Sequence, residues 1–296
     1  MRTKDSHATY SRSDGRGLSG LELVGEGLEF KVFRSIDTAG EPVVLRVPVG
    51  PRFVSNANDP VVDTRELLRW EYSFARHLES LGFPVAGARE LLLAEPDVLI
   101  SRYVPDDGQG AEQVRLGGLL RLLHGLPPPS LPPPAAQRSA IAAFIAQRIT
   151  RRWGELAAVI EDLPGCVPEV RMAAVLAARP SGSLLHLDVR APNLRCAGGA
   201  VLAFLDWSNA LIGDPEMELG RLTEFAQLAG NGIDISAVFA GYGVPADTSS
   251  PAFLIYRLDA AVMLAAVFIF EAPDEALGAL AVDSMLSIRH ELMAMS

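Results

Sequence analysis

The chain has 296 residues, 49% hydrophobic and 21% charged, a balance that supports a sizeable core in one large domain or two ordinary ones. Its formal net charge of −10 speaks against non-specific binding to nucleic acid or to an anionic membrane surface. Cys166 and Cys196 stand in no metal-ligand spacing and no apolar leader opens the sequence, so a cytoplasmic protein with reduced thiols is expected.

Residues 1–17 are rich in Ser, Asp, Gly and Arg and are predicted to be disordered. Residues 18–35 read as strand–turn–strand, with Gly25 and Gly27 marking the turn and Phe30, Val32 and Phe33 the returning strand. Glu41–Val49 is a β-branched run that predicts a third strand, with Arg46 set among its apolar residues. Residues 63–81 repeat Leu67, Trp70, Phe74 and Leu78 at helical steps, with Asp63 as N-cap, Glu66 three residues later and Gly82 as the stop. Apolar stretches at 88–94 and 98–104 follow. The polar segment 105–113 then reads as a linker and separates a first lobe, 18–104, from a second, 105–296.

Helical patterns dominate the second lobe: 114–124, 136–162, 216–229, 234–241, 251–270 and 273–294, with a stiff proline-rich connector at 126–135. The longest apolar run, Ala260–Phe270, is too short to span a bilayer and predicts a buried helix. Between these helices, 194–206 reads as a strand pair turned at Ala197-Gly198-Gly199.

That strand pair sits inside the most informative segment, 184–215, which carries His186, Asp188, Asn193 and Asp206 in fixed order. Phosphoryl transfer needs a carboxylate to accept a hydroxyl proton, and an amide and a second carboxylate to hold magnesium. Asp188, Asn193 and Asp206 have those types in that order, and the hairpin returns the chain so that they meet. Hard oxygen ligands suit magnesium, which keeps few protein ligands and fills the rest with phosphate and water. His186, on an apolar run, is read as bracing the loop backbone. Arg190 could neutralise the transferring group or be a surface residue. Gly25 and Gly27 could let backbone amides approach phosphates, or could mark a plain hairpin turn. Arg46 within a strand needs an acidic partner, Glu71 first and Glu66 second.

These motifs make the chain resemble the aminoglycoside phosphotransferase-like kinases, a group with macrolide phosphotransferases and choline kinases among its members. HLDVRAPN at 186–193 is similar to the family's catalytic loop, and LDWSNALIGDP at 205–215 to its metal-binding segment. VVLRVP at 43–48, RELLRWEYSFARHLESLGFPV at 65–85 and LLRLLHGLP at 119–127 are similar to further family segments, so the likeness runs over about 18–290. It implies an α+β, bilobal, protein-kinase-like fold, with a small antiparallel-sheet lobe that binds nucleotide and a larger, mainly helical lobe that binds acceptor. It implies Asp188 as catalytic base, Asn193 and Asp206 as magnesium ligands, and Arg46 where many members have lysine. The Ser101 carbonyl and Tyr103 amide would meet the base of ATP or GTP. The expected partners are nucleotide and a small molecule bearing a hydroxyl, with no nucleic acid and no membrane, in a monomer or homodimer.

Leu187 stands where the family usually has glycine and Glu218 where Asp is commoner, and no DFG or APE element follows Asp206, which argues against an ordinary protein kinase. The acceptor is expected to be an antibiotic or related natural product, with a primary-metabolite alcohol and a catalytically silent nucleotide binder as alternatives. Asp106, Asp107, Glu161, Asp162, Glu271, Asp274 and Glu275 could line an acidic cleft for a cationic drug, or be solvated surface charges.

Overall fold

The computed structural model describes residues 18–55, 59–129, 140–243 and 248–295. The expected disorder of 1–17 and residues 130–135 of the proline-rich connector lie outside these described residues. Strands β1 (Ser19–Glu26), β2 (Phe30–Ile36) and β3 (Pro42–Pro48) form an antiparallel meander. A short ladder, β4 (Phe53–Val54) with β5 (Val62–Asp63), leads into helix α1 (Thr64–Ser80). Strands β6 (Ala88–Leu92) and β7 (Val98–Arg102) complete a five-stranded sheet in the order β1-β2-β3-β7-β6.

Strand alternation divides the residues of β3 between the two faces of the sheet. Val43, Leu45 and Val47 are buried on one face, beside a cavity of about 550 Å³ lined by Leu21, Phe33 and Val98. Arg46 therefore points to the other face, the side on which α1 packs. Helix α1 starts where Asp63 accepts the amides of Arg65 and Glu66, as its N-cap position predicts. Its Trp70, Phe74 and Leu78 pack with Leu120, Phe204 and Trp207 of the second lobe in one continuous core. The sheet ends near residue 104, but the apolar core runs across that boundary.

The linker is pinned. Asp106 Oδ2 accepts the Cys196 amide at 2.9 Å, and Asp107 Oδ2 accepts the Gly198 amide at 2.7 Å. Helices α2 (Gln113–Gly125), α3 (Ile141–Ala157) and α4 (Glu169–Ala177) follow. The helix predicted over 136–162 is thus shorter, and α4, about two and a half turns of weak periodicity after Pro168, escapes the sequence pattern. Strand β8 (Ser183–Leu185) pairs with β11 (Leu211–Gly213). Between them β9 (Leu194–Ala197) and β10 (Ala200–Phe204) form the predicted hairpin. Gly198 and Gly199 both have positive φ, 56° and 76°, as a tight two-residue turn demands.

Helices α5 (Pro215–Phe225), α6 (Ile235–Tyr242), α7 (Pro251–Ala266) and α8 (Glu275–Ala294) close the lobe. A Cβ on Gly241 of α6 would lie 1.8 Å from the Val114 carbonyl oxygen, so α2 and α6 cross at a distance only glycine permits. Helix α7 continues through a π-helical turn to Glu271, and Pro251–Glu271 is apolar and long enough to cross a membrane. It is instead mostly buried inside the protein, as the helical core predicted there.

Candidate active site

The loop after β8 carries Asp188, which is largely buried. Asn193, at the end of a 3-10 turn (Ala191–Asn193), donates its amide to Asp188 Oδ2 at 2.7 Å and to the Asp188 carbonyl at 3.0 Å. Arg190 donates from Nε to Asp188 Oδ1 at 3.0 Å. The carboxylate is thus fixed by an amide and a guanidinium, and in this state Arg190 rests on Asp188.

His186 is fully buried and braces the loop from both nitrogens. The Asp188 amide donates to Nδ1 at 3.1 Å, which makes Nδ1 the acceptor and places the proton on Nε2. That Nε2 donates to the Leu205 carbonyl at 2.9 Å. One neutral imidazole therefore joins the backbone beside Asp188 to the backbone beside Asp206. Trp207 packs its indole 4.4 Å from the imidazole centroid. Both ring nitrogens are engaged by backbone, so the geometry gives His186 a positioning role and leaves it no proton to transfer.

Across the cleft, Arg46 Nη1 lies 2.7 Å from Asp206 Oδ1 and 2.9 Å from Glu71 Oε2. Glu71, the first of the two expected partners, is the one that pairs. Two carboxylates share one buried cation, and they divide it unequally. Burial would raise Asp206, but the charge and hydrogen bond of Arg46, with the Ser208 hydroxyl at 2.6 Å, hold it down at about 2. Glu71 is pushed up to about 7 by burial, against the pull of Arg46 and with the push of Asp206. Asp206 also has a left-handed backbone, φ 60°, a sparsely populated conformation that marks sites held by their surroundings.

A residue given little weight in the sequence proves central. Glu218, on α5, is almost wholly buried and accepts the Leu187 amide at 2.7 Å and the His186 amide at 3.1 Å. His124 Nε2 meets Glu218 Oε2, the oxygen that also accepts the His186 amide, at 2.9 Å, and His124 Nδ1 meets the Tyr242 hydroxyl at 2.8 Å. Burial opposes the Glu218 charge, yet the His124 bond and these amides keep its carboxyl below the ordinary range. Glu218 stands four residues after Asp214, which caps α5, about one turn into the helix; that spacing was the available signal.

Three further expectations meet the geometry. Gly25 and Gly27 both have ordinary φ, an added Cβ would meet nothing closer than 3.7 Å, and the Gly27 amide donates to Phe30 O at 2.9 Å. Gly25 pairs with Val32 in the β1–β2 ladder, and Gly27 lies in the turn with its amide engaged. In the same turn Glu29, which the sequence reading passed over, sits among the charges of Arg46, Asp206 and Glu271, and burial raises its carboxyl. At the proposed hinge, Ser101 lies opposite Val44 in the β3–β7 ladder, and the Tyr103 amide donates to Pro42 O at 3.3 Å. That amide closes the last rung of the sheet, so a nucleotide base would have to displace it. The acidic cleft does not assemble: Asp106 and Asp107 hold the β9–β10 hairpin, Asp274 caps α8, and Glu161, Asp162 and Glu275 are exposed. Glu271 alone of that group lies near the site.

The residues present fit magnesium and nucleotide phosphates. Asn193 turns its NH2 group onto Asp188, which directs its amide oxygen away from it. Asp206 is ionised, with Oδ1 taken by Arg46 and Ser208, so Oδ2 is the atom that would face a cation. Among the described residues no three His, Cys, Asp or Glu side chains form a metal cage by themselves. Arg46 Nε is buried with no hydrogen-bond partner, a donor that a phosphate oxygen would satisfy.

Comparisons with known proteins agree with this arrangement. A profile of the phosphotransferase enzyme family, APH, matches residues 20–254. A search of curated proteins gave no match. Among solved structures, a thermostable mutant of aminoglycoside phosphotransferase APH(4)-Ia in its apo form is 17% identical, with a TM-score of 0.62 over 93% of this chain and 95% of that one. A choline/ethanolamine kinase family protein from Mesorhizobium loti is 19% identical, with a TM-score of 0.56 over 93% and 88%. Macrolide 2'-phosphotransferase MphH from Brachybacterium faecium is 16% identical, with a TM-score of 0.52 over 92% and 93%. With its protein-kinase-like α+β fold and a profile match over most of its length, the chain belongs to the APH phosphotransferase enzyme family.

Proposed function

We propose that the protein moves the γ-phosphate of ATP or GTP to a hydroxyl of a small molecule, in the cytoplasm, with a natural product, antibiotics included, as acceptor. The observation that carries this reading is the Asp188 carboxylate, fixed by Asn193 and Arg190 on a loop that His186 and Glu218 brace from beneath. Residues 18–104 would bind the nucleotide, and 105–296 would carry the catalytic loop and the acceptor.

Asp188 would orient the acceptor hydroxyl and take its proton as the bond to phosphorus forms. Arg46, held by Glu71, would lie along the phosphates and neutralise charge that grows in transfer. Arg190 would turn from Asp188 toward the transferring group once the acceptor occupies the carboxylate. Asn193 and Asp206 would hold magnesium, which would offset the charge of the phosphates. Two similar structures support nucleotide and small-molecule partners: both are APH(4)-Ia variants holding hygromycin B, one with AMP-PNP and one with ADP.

The test is nucleotide consumption and product detection across antibiotics and metabolic alcohols. Asp188→Ala should lower kcat by roughly 10²–10⁴-fold while nucleotide binding persists. Turnover at the wild-type rate in that variant would sink the reading. The engaged amides of Gly27 and Tyr103 favour a second reading, a nucleotide binder without catalysis; undetectable transfer with intact nucleotide affinity would select it.

A further inference from the structure

Three helices of the second lobe meet at a cationic cluster that the mechanism above does not use. Asp259 on α7 is buried and receives Arg148 of α3 through both Nε, at 2.7 Å, and Nη2. Arg152, one turn further along α3, reaches the same carboxylate at 3.4 Å. Arg221 of α5 is the third member. It lies one turn beyond Glu218, the residue that holds the catalytic loop. Its guanidinium sits 5.3 Å from the Phe225 ring centroid, its Nη2 is 4.0 Å from Met263 Sδ, and its Nε is buried with no hydrogen-bond partner among the described residues.

Arg221 links this cluster to the loop that carries Asp188, because its helix also carries Glu218, which holds the Leu187 amide. After burial, which disfavours its charge, Arg221 feels Asp188 first and Asp259 second. Burial and the neighbouring Arg148 likewise pull Arg152 down to about 9. A buried guanidinium whose Nε lacks an acceptor among the described residues is costly. The cluster belongs to the helical lobe, apart from Arg46 on the sheet, so the nucleotide phosphates do not account for it.

We propose that this cluster recognises the acceptor, and that the acceptor carries an anionic group, a carboxylate or phosphate that a guanidinium fork can grip, together with its hydroxyl. The proposal rests on the phosphotransferase reading and narrows it: the acceptor enters with its negative end on Arg221 and its hydroxyl toward Asp188. Arg148 and Arg152, tied to Asp259, supply the field that offsets the Asp188 charge an anion would otherwise meet.

Two measurements test this. The first compares glycerate, glycerol phosphate, glycerol and aminopropanediol as acceptors, four compounds with the same three-carbon frame and different charge. Transfer to one or both anions should exceed transfer to glycerol and to the amine by roughly tenfold or more in kcat/KM, the yield of one charge-assisted hydrogen bond. Arg221→Met should raise KM for the anion by a similar factor while KM for glycerol stays within about twofold, and Arg221→Lys should recover part of the loss. The second measures Tm of the protein saturated with magnesium and a non-hydrolysable nucleotide, in sulfate against chloride of equal ionic strength. Sulfate should stabilise the wild type and lose its advantage in Arg221→Met. Preference for the amine or for glycerol, an equal effect of Arg221→Met on every acceptor, or equal sulfate stabilisation of both proteins would overturn the proposal. If Asp188→Ala consumes nucleotide as fast as wild type, the phosphotransferase reading falls instead, and the sulfate comparison still decides the anion site by itself.

Discussion

Leu187 shows how a single position balances backbone strain against packing. Its φ of 61° is left-handed, which costs about 1–2 kcal/mol for a residue with a Cβ. Its side chain, however, is almost wholly buried in the main helical core. Removing such a side chain costs about 2–5 kcal/mol. Leu187→Gly should therefore relieve the strain and still lower stability, by roughly 2 kcal/mol net; denaturant unfolding measures this, and a stabilised variant would show that strain dominates. Glu218 is the complementary case. Glu218→Gln keeps the shape but sets an NH2 group against amides that need an acceptor. About 2 kcal/mol of stability should go with that mismatch. Because the loop that carries Asp188 would shift, kcat should fall roughly tenfold to a hundredfold. Unchanged kcat with lowered stability would confine Glu218 to a role in folding.

At the scale of elements, α1 is fastened to the second lobe rather than to its own sheet alone. Trp70 Nε1 donates to the Ala210 carbonyl at 2.9 Å, and Phe74 stacks on Trp207 with centroids 6.1 Å apart. His77 Nε2 meets the Pro127 carbonyl at 2.7 Å. Trp70→Phe should remove the first of these and strand a buried carbonyl, for a loss of about 2 kcal/mol; it should also raise KM for nucleotide, because Glu71 is one residue away. Thermal unfolding and nucleotide titration read the two effects separately. The elements most legible in the sequence were those with a local signature: β3 by alternation around Arg46, α1 by its period and Asp63 cap, the β9–β10 hairpin by Gly198-Gly199. Strands β8 and β11, three residues each, have no period to detect and exist only because each finds the other. Within the site, Asp188, Asn193, Asp206, Arg46 and Glu71 could be brought together from order and type. Arg148, Arg152, Arg221 and Asp259 could not, since each reads as an ordinary charge on its own helix and their meeting is a property of three helices packed together. Gly25 and Gly27 carry less information for the opposite reason: a residue type that permits a phosphate loop also permits a plain turn.

For the molecule as a whole, buried carboxylates set the response to acid. Asp206, Glu218 and Asp259 are all held below their ordinary range by cations or amides that outweigh burial. A depressed acid stabilises the fold fully above its unfolded pKa and loses that contribution as pH falls toward the folded value. Stability should therefore fall between about pH 5 and pH 2, the lower bound being that of Asp206, while Glu71, raised to about 7, takes some stability away as pH rises from about 5 to 7. A Tm series over that range checks it, and a Tm that rises in acid would contradict the assignment. The fastening of α1 has a wider consequence. Kinases that answer to signals do so by letting the helix that bears their glutamate swing out and back. Here an indole, a stacked aromatic pair and an imidazole rivet that helix to the opposite lobe, and Arg46 ties Glu71 to Asp206 across the gap. Such an assembly sets Glu71 beside Arg46 by packing between the lobes, without a ligand to draw it there.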